Sequence, residues 1–380
     1  MKHPMAVLAC MVAAVAVARP AAAIPAFARR YQVECHFCHE GFPKLNAMGQ
    51  RFRERGLRME QEDNFDASKW LRSVPVTGRA EYNHTFVEKG DGFGYGFLKG
   101  IAAGSLGPRV AFWVDDGVTL ADGDFSHTKP DNAWLRLEVV TGGALYARGG
   151  RLELDLPFTQ ARTPHLIPYE IYTANTGFET DNIGEYQDGV EVGGSLPQDV
   201  HWSAAVVKGR NSASAVAASS DAGKFDANLF LRLAKRIQRH RIGAFAYIGR
   251  NTLVNDQRVA FGDDLLRVGA DASVWIEHLN FYGVYLYGRN SNSTGSGREL
   301  TYSGGFLQGD YHLHDNVALT LRLSVVNQPP PGTEASRQTF SAVLPGIQLF
   351  ILDHGKLSFE YAFQNKDRGG FGSIQAEVAF

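Results

Sequence analysis

Cys35-His36-Phe37-Cys38-His39 sets two thiols three positions apart and places an imidazole directly after the second. Three chemistries use such a pattern. In covalent haem attachment each thiol adds across a vinyl group, and the two residues between them span the macrocycle edge. His39 then returns over the iron as proximal ligand, which requires this order and spacing. A redox dithiol needs a thioredoxin-like βαβ context, which the flanking sequence lacks. A zinc site using His36 or His39 lacks a second pair of ligands at a conventional spacing.

The chain's third cysteine, Cys10, falls in a different kind of segment. Met1-Lys2-His3 forms a short basic start, Ala6 to Ala18 is an apolar run, and Ala21-Ala22-Ala23 fits a small-residue cleavage site. This predicts a signal peptide over 1–23, lost with Cys10, and an exported chain. Val7-Leu8-Ala9-Cys10 mimics a lipoprotein site, but only Met5 to Ala9 precede the cysteine as apolar run. Cys35 and Cys38 are then the thiols that work outside the cytoplasm.

The elements that must position them begin at once. Phe42, Leu45, Met48 and Phe52 recur at helical spacing, with Pro43 near the start and Gly56 at the end. The spacing predicts a short amphipathic helix after the motif. Arg29, Arg30, Arg51, Arg53, Arg55 and Arg58 crowd around it. They suit haem propionates, and equally a solvated basic face. The segment 24–73 is about fifty residues long, below the usual size of a self-sufficient domain, so another element must wall a large apolar cofactor.

From about Val74 the apolar period changes from 3.6 to 2. Leu319, Leu321, Leu323 and Val325 alternate with Thr320, Arg322 and Ser324, and Phe359, Tyr361 and Phe363 with Glu360 and Ala362. About sixteen strands are predicted, a porin-like number. They lie near 75–88, 92–107, 109–120, 132–140, 145–154, 189–197, 200–209, 228–237, 240–250, 264–276, 279–290, 299–313, 317–328, 337–352, 355–365 and 371–380. Tight turns alternate with long polar loops at 121–131, 155–188, 210–227, 251–263, 290–298 and 329–336. Short turn, long loop, repeated along the chain, is the outer-membrane barrel pattern. The last strand, "SIQAEVAF", alternates and ends on an aromatic residue, and Tyr282, Tyr285, Tyr287 and Tyr361 suit interfacial girdles. Arg136, Glu138, Arg232, Arg322 and Glu360 are expected to face a polar lumen. The predicted fold is all-β, a transmembrane antiparallel β-barrel over 74–380 carrying a small N-terminal helical c-type haem segment over 24–73.

With 380 residues, 44% hydrophobic and a formal net charge of -2, the chain lacks the basic surplus of a nucleic-acid binder and is too apolar for disorder. After the first few dozen positions it has no apolar run long enough for a transmembrane helix.

The stretch "PAFARRYQVECHFCHEGFPKLNAMGQRFRERGLRM", followed by a barrel, resembles the fused monohaem cytochrome–porins, whose best-known members are outer-membrane iron-oxidising cytochromes. The remainder agrees in architecture, with a barrel somewhat short for that family. The resemblance implies one covalent haem c at the periplasmic end of the barrel or within its lumen. Cys35 and Cys38 are then the thioether residues and His39 the proximal ligand. It further implies that extracellular Fe(II) gives its electron at the outer face and that a periplasmic c-type cytochrome collects it. For the distal position Met59 is the candidate, with His84 or an open site as alternatives, and Met48 is expected in the helix core. The loop 155–188 carries Asp155, Glu170, Glu179, Asp181, Glu185 and Asp188. It reads as a hydrated surface loop, as an inward constriction, or as an Fe(II) docking site at Asp181 and Glu185, since carboxylates suit hard cations. A solute channel with a haem-bearing plug, and electron transfer with another external donor or acceptor, are the competing functions.

Overall fold

The computed structural model describes residues 26–41, 43–59, 76–88, 92–121, 124–127, 130–159, 165–173, 183–209, 226–255, 257, 259–314, 316–329, 338–351, 354–365 and 369–379. The expected signal segment, Phe42, Asp181 and Phe380 lie outside them.

The N-terminal part runs as helix α1 (Ala26–Tyr31), a 3₁₀ turn at Cys35–Phe37, a tiny hairpin β1 (His39–Gly41) and β2 (Lys44–Leu45), and helix α2 (Ala47–Glu54). The helix expected from Phe42 therefore starts later. Pro43 sits in the hairpin turn, and Asn46 caps α2 by accepting the Gly49 N–H at 2.9 Å. Gly56 follows the helix at φ +67°, where a Cβ would be strained, so the end was legible.

The barrel strands are β3 (Val76–Val87), β4 (Phe93–Leu106), β5 (Val110–Ala121), β6 (Asp124–His127), β7 (Asn132–Val140), β8 (Leu145–Glu153), β9 (Tyr186–Leu196) and β10 (Val200–Lys208). They continue as β11 (Ala227–Ile237), β12 (His240–Val254), β13 (Ala260–Ile276), β14 (Leu279–Asn290), β15 (Leu300–His314), β16 (Val317–Gln328), β17 (Gln338–Ile351), β18 (Gly355–Gln364) and β19 (Phe371–Ala379). All pairings are antiparallel, and β19 closes on β3 through pairs such as Gln375 with Asn83. The short β6 and the longer β7 both pair with β5, so they share one stave and the closed barrel has 16. Two expectations shift: β12 and β13 extend across the predicted loop 251–263, and β6 adds a hairpin to the loop 121–131.

The alternation resolves into an inverted protein. On β11, Leu229, Leu231 and Leu233 are exposed while Phe230, Arg232 and Ala234 are buried; on β16, Leu319, Leu321 and Leu323 are exposed over buried Thr320, Arg322 and Ser324. Apolar outside and polar inside suits a lipid-embedded barrel. Arg136, Glu138, Arg232, Arg322 and Glu360 all face inward. Tyr285 and Tyr287 point outward, but Tyr282 belongs to the opposite face of β14 and is buried in the lumen. No described helix is long and apolar enough to cross a membrane.

The loop 155–188 corrects the hydrated-surface expectation. Leu156, Phe158, Ile167, Tyr169, Ile171 and Tyr172 are buried inside the barrel. Tyr169 stacks on Phe306 at 4.2 Å, and Ile167 donates its N–H to Glu360 while accepting from Arg322. His165 bridges Glu360 at 2.8 Å and Tyr282 at 2.9 Å. The apolar residues scattered among the acids of this loop are its inward face.

Candidate functional site

The N-terminal segment packs against the barrel's inner wall at the short-turn end. Arg58 donates to the Gly107 carbonyl in the β4–β5 turn at 2.9 Å, and Arg51 lies 3.6 Å from Asp199 in the β9–β10 turn. Short turns mark the periplasmic rim of outer-membrane barrels. Arg53 pairs with Asp155 at 2.8 Å, and Glu54 with Arg236, beside the β11–β12 turn, at 2.7 Å. Lys44 reaches Asn280 and Asp310, each at 2.7 Å, with its ammonium 4.3 Å above the Tyr282 ring. Arg29 donates to the Val76 carbonyl at 2.6 Å. The arginines that looked like a basic face are thus largely the fasteners of a plug, their partners supplied by strands distant in sequence.

Within the plug, Asn46 organises the CHFCH turn. Its backbone N–H donates to the Cys38 carbonyl at 2.9 Å, and its Nδ2 reaches the carbonyls of His36 and Phe37, each at 3.1 Å. The same side chain's Oδ1 caps α2, so one residue ties loop to helix. An Asn immediately before an Ala-Met-Gly helix start was the available signal. His39 Nδ1 lies 3.2 Å from the Pro43 carbonyl, which places a proton on that nitrogen because a carbonyl only accepts. Burial pushes the His39 imidazole down to about 4, keeping it neutral, and raises the Cys38 thiol.

Cys35, Cys38, His39 and Met59 all line one cavity of about 310 Å³. Its walls are aromatic and come from both parts of the chain. Phe27 and Tyr31 of α1 pack edge-on against Phe52 of α2 at 5.1 and 5.5 Å, and Phe27 meets Trp113 of β5, which stacks on Trp134 of β7. The barrel is the missing wall. Two thiols, one imidazole and an aromatic enclosure are residue types that could hold a covalent haem. The cavity also receives His201 of β10, which sequence reading passed over because nothing local marks it.

A second cavity of about 750 Å³ lies beside the first, lined by His36, Met48, Arg239, His240 and His312 among others. His36 and Met48 line this one and not the thiol-bearing one; His39 and His201 line both. His84 shares the face of β3 opposite to lumen-facing Glu81 and Asn83, which directs it away from the lumen. Glu185 is exposed beyond the inward part of its loop, and Asp181 is outside the described residues. Among the described residues no three His, Cys, Asp or Glu side chains converge as a metal cluster. A 3₁₀ turn followed by a hairpin is not the βαβ frame of a redox dithiol.

No protein-family model matches the chain, and no curated protein matches it. Solved structures do. OmpF of Salmonella typhi, solved in complex with daunomycin, superposes with a TM-score of 0.59 at 12% identity, over 80% of this chain and 97% of that one. The outer-membrane channel DcaP of Acinetobacter baumannii gives 0.54 at 12%, over 80% and 96%. OmpT of Vibrio cholerae gives 0.54 at 10%, over 80% and 97%. At such identities the likeness is one of fold, and by fold this chain is a porin-like outer-membrane β-barrel.

Proposed function

We propose that the chain is an outer-membrane electron conduit. One haem c, attached through Cys35 and Cys38 and held by His39, would pass electrons from an extracellular donor, Fe(II) foremost, to a periplasmic cytochrome. The observation that carries this reading is the convergence of both thiols and the His39 ring on a single aromatic cavity. The resemblance of the CHFCH segment to cytochrome–porins is the second support for it.

Bound there, the haem supplies a one-electron Fe(III)/Fe(II) couple. The chain's own residues do the rest. Pro43 orients His39 through its carbonyl. Asn46 holds the turn that presents the thiols. Phe27, Tyr31, Phe52 and Trp113 exclude water from the cavity, and lower polarity around a haem shifts its potential. Lys44, Arg53 and Arg58 keep the plug seated, which keeps the lumen narrow while a covalent redox centre sits near the periplasmic rim.

The porin-like fold favours a second reading, a solute channel in which the plug gates or restricts the lumen. Expression in cells that mature c-type haem separates the two. Intact cells receive Fe(II), the reduced-haem absorption bands are followed, and dithionite then gives the total. Rapid reduction by Fe(II), with little ion conductance in planar bilayers, is the outcome expected of the conduit. A haem that dithionite reduces and Fe(II) does not removes Fe(II) as donor. Steady conductance with no covalent haem leaves the channel.

A further inference from the structure

Among the described residues, one ring nitrogen of His201 has no hydrogen-bond partner. His201 is the second residue of β10, next to the short turn, paired in register with Ser195 and Ala234. Its side chain is 14% exposed and borders both cavities. Nε2 lies 3.3 Å from Asp155 Oδ2, and a carboxylate only accepts, so the ring proton belongs on Nε2. Asp155 is itself held by Arg53 of the plug at 2.8 Å and Arg232 of the wall at 3.6 Å. Nδ1 is buried and meets no hydrogen-bond partner among the described residues. A proton there would be an unsatisfied buried donor; with the proton on Nε2, Nδ1 carries a lone pair on a side chain that borders the cavity lined by Cys35, Cys38 and His39. A carboxylate behind an imidazole is the arrangement that orients and strengthens metal-ligating histidines.

We propose that His201 is the second axial ligand, a histidine of the barrel wall closing on the iron of a haem carried by the plug. This rests on the reading that Cys35 and Cys38 hold a haem. Met59, the candidate from sequence, packs against the cluster of Phe52, Leu57 and Ala103 and serves as cavity wall. Two consequences follow from imidazole on both faces. The potential lies below that of a histidine–methionine site. The iron also staples plug to barrel, a cross-link between residues far apart in sequence that forms only when both parts are folded.

The test uses the full-length protein matured with c-type haem and purified in detergent. Haem staining after denaturing electrophoresis comes first: no covalent haem overturns both this proposal and the reading beneath it. With haem attached, ferric electron paramagnetic resonance and near-infrared magnetic circular dichroism are expected to show a low-spin bis-imidazole centre. His201→Ala is expected to become high-spin and to recover the low-spin signal on adding imidazole. His201→Met is expected to raise the midpoint potential and bring in a thioether–iron band, and Met59→Leu to retain the bis-imidazole signature. A thioether band or a high-spin centre in the unaltered protein, or a bis-imidazole signal that survives His201→Ala, overturns the proposal while leaving the haem in place. The spectrum of the unaltered protein decides against it even where a variant fails to assemble.

Discussion

A Cβ on Gly49 would sit 2.2 Å from the carbonyl oxygen of Cys38. Helix α2 and the CHFCH turn are therefore in backbone contact, with no room for a side chain between them. The same carbonyl accepts the Asn46 N–H, so the oxygen is pinned from two sides. Helix and CHFCH turn pack as one unit through the Cys38 carbonyl.

Gly49→Ala must push the helix away from Cys38, because the obstacle is backbone rather than a movable side-chain tip. Overpacking of this kind costs about 1–3 kcal/mol. The expected result is a barrel that still assembles and shows a lower ratio of covalent haem to protein. Haem absorbance against protein absorbance, with heat-modifiable gel mobility as the check on the barrel, measures it.

Asn46 has two separable roles. Asn46→Asp keeps the oxygen that caps α2 and loses the Nδ2 donors to His36 and Phe37, whereas Asn46→Ala loses both. Removing the cap costs about 0.5–2 kcal/mol. Asn46→Ala is expected to lower both plug stability and haem attachment, and Asn46→Asp mainly attachment. Denaturant-induced loss of the haem spectrum, compared between the two variants, separates the roles.

Lys44→Met leaves Asp310 buried without its cation, with the neutral Gln308 amide still donating to it at 2.8 Å. Breaking one side of a buried ion pair costs about 3–5 kcal/mol. The plug hairpin is expected to detach more readily, seen as larger and noisier single-channel conductance and faster proteolysis of the N-terminal segment. Adding Asp310→Asn removes the uncompensated charge and is expected to restore part of the loss.

His165→Ala removes the imidazole that spans Glu360 and Tyr282, leaving Glu360 with the Ile167 N–H. An under-satisfied buried acceptor costs about 1–3 kcal/mol. The inward loop is expected to open: amide exchange over 165–173 should rise while the barrel strands stay protected. Equal exchange in the two proteins would mean that stacking on Phe306 and Tyr282 holds the loop alone.

Local pattern determined much of this molecule. The period-2 alternation from Val76 to Ala379 and the alternation of short and long connections located the strands to within about four residues at their ends, the short β6 apart, because lipid outside and a polar lumen inside force every stave to obey one rule. The order Cys-x-x-Cys-His named a candidate chemistry because the spacing itself is the geometric requirement. Tertiary structure decided what no local window holds. Lys44 finds Asp310, Arg53 finds Asp155 and Arg58 finds Gly107 across separations of 266, 102 and 49 positions. Only those closures turn a run of arginines into fasteners and an acidic loop into a lumen strap, and bring His201 to the border of the cavity that Cys35 and Cys38 line. Hydrophobic period fixes which face a residue takes; a lumen shared by every strand fixes whom it meets, and closing that lumen is a property of the whole ring.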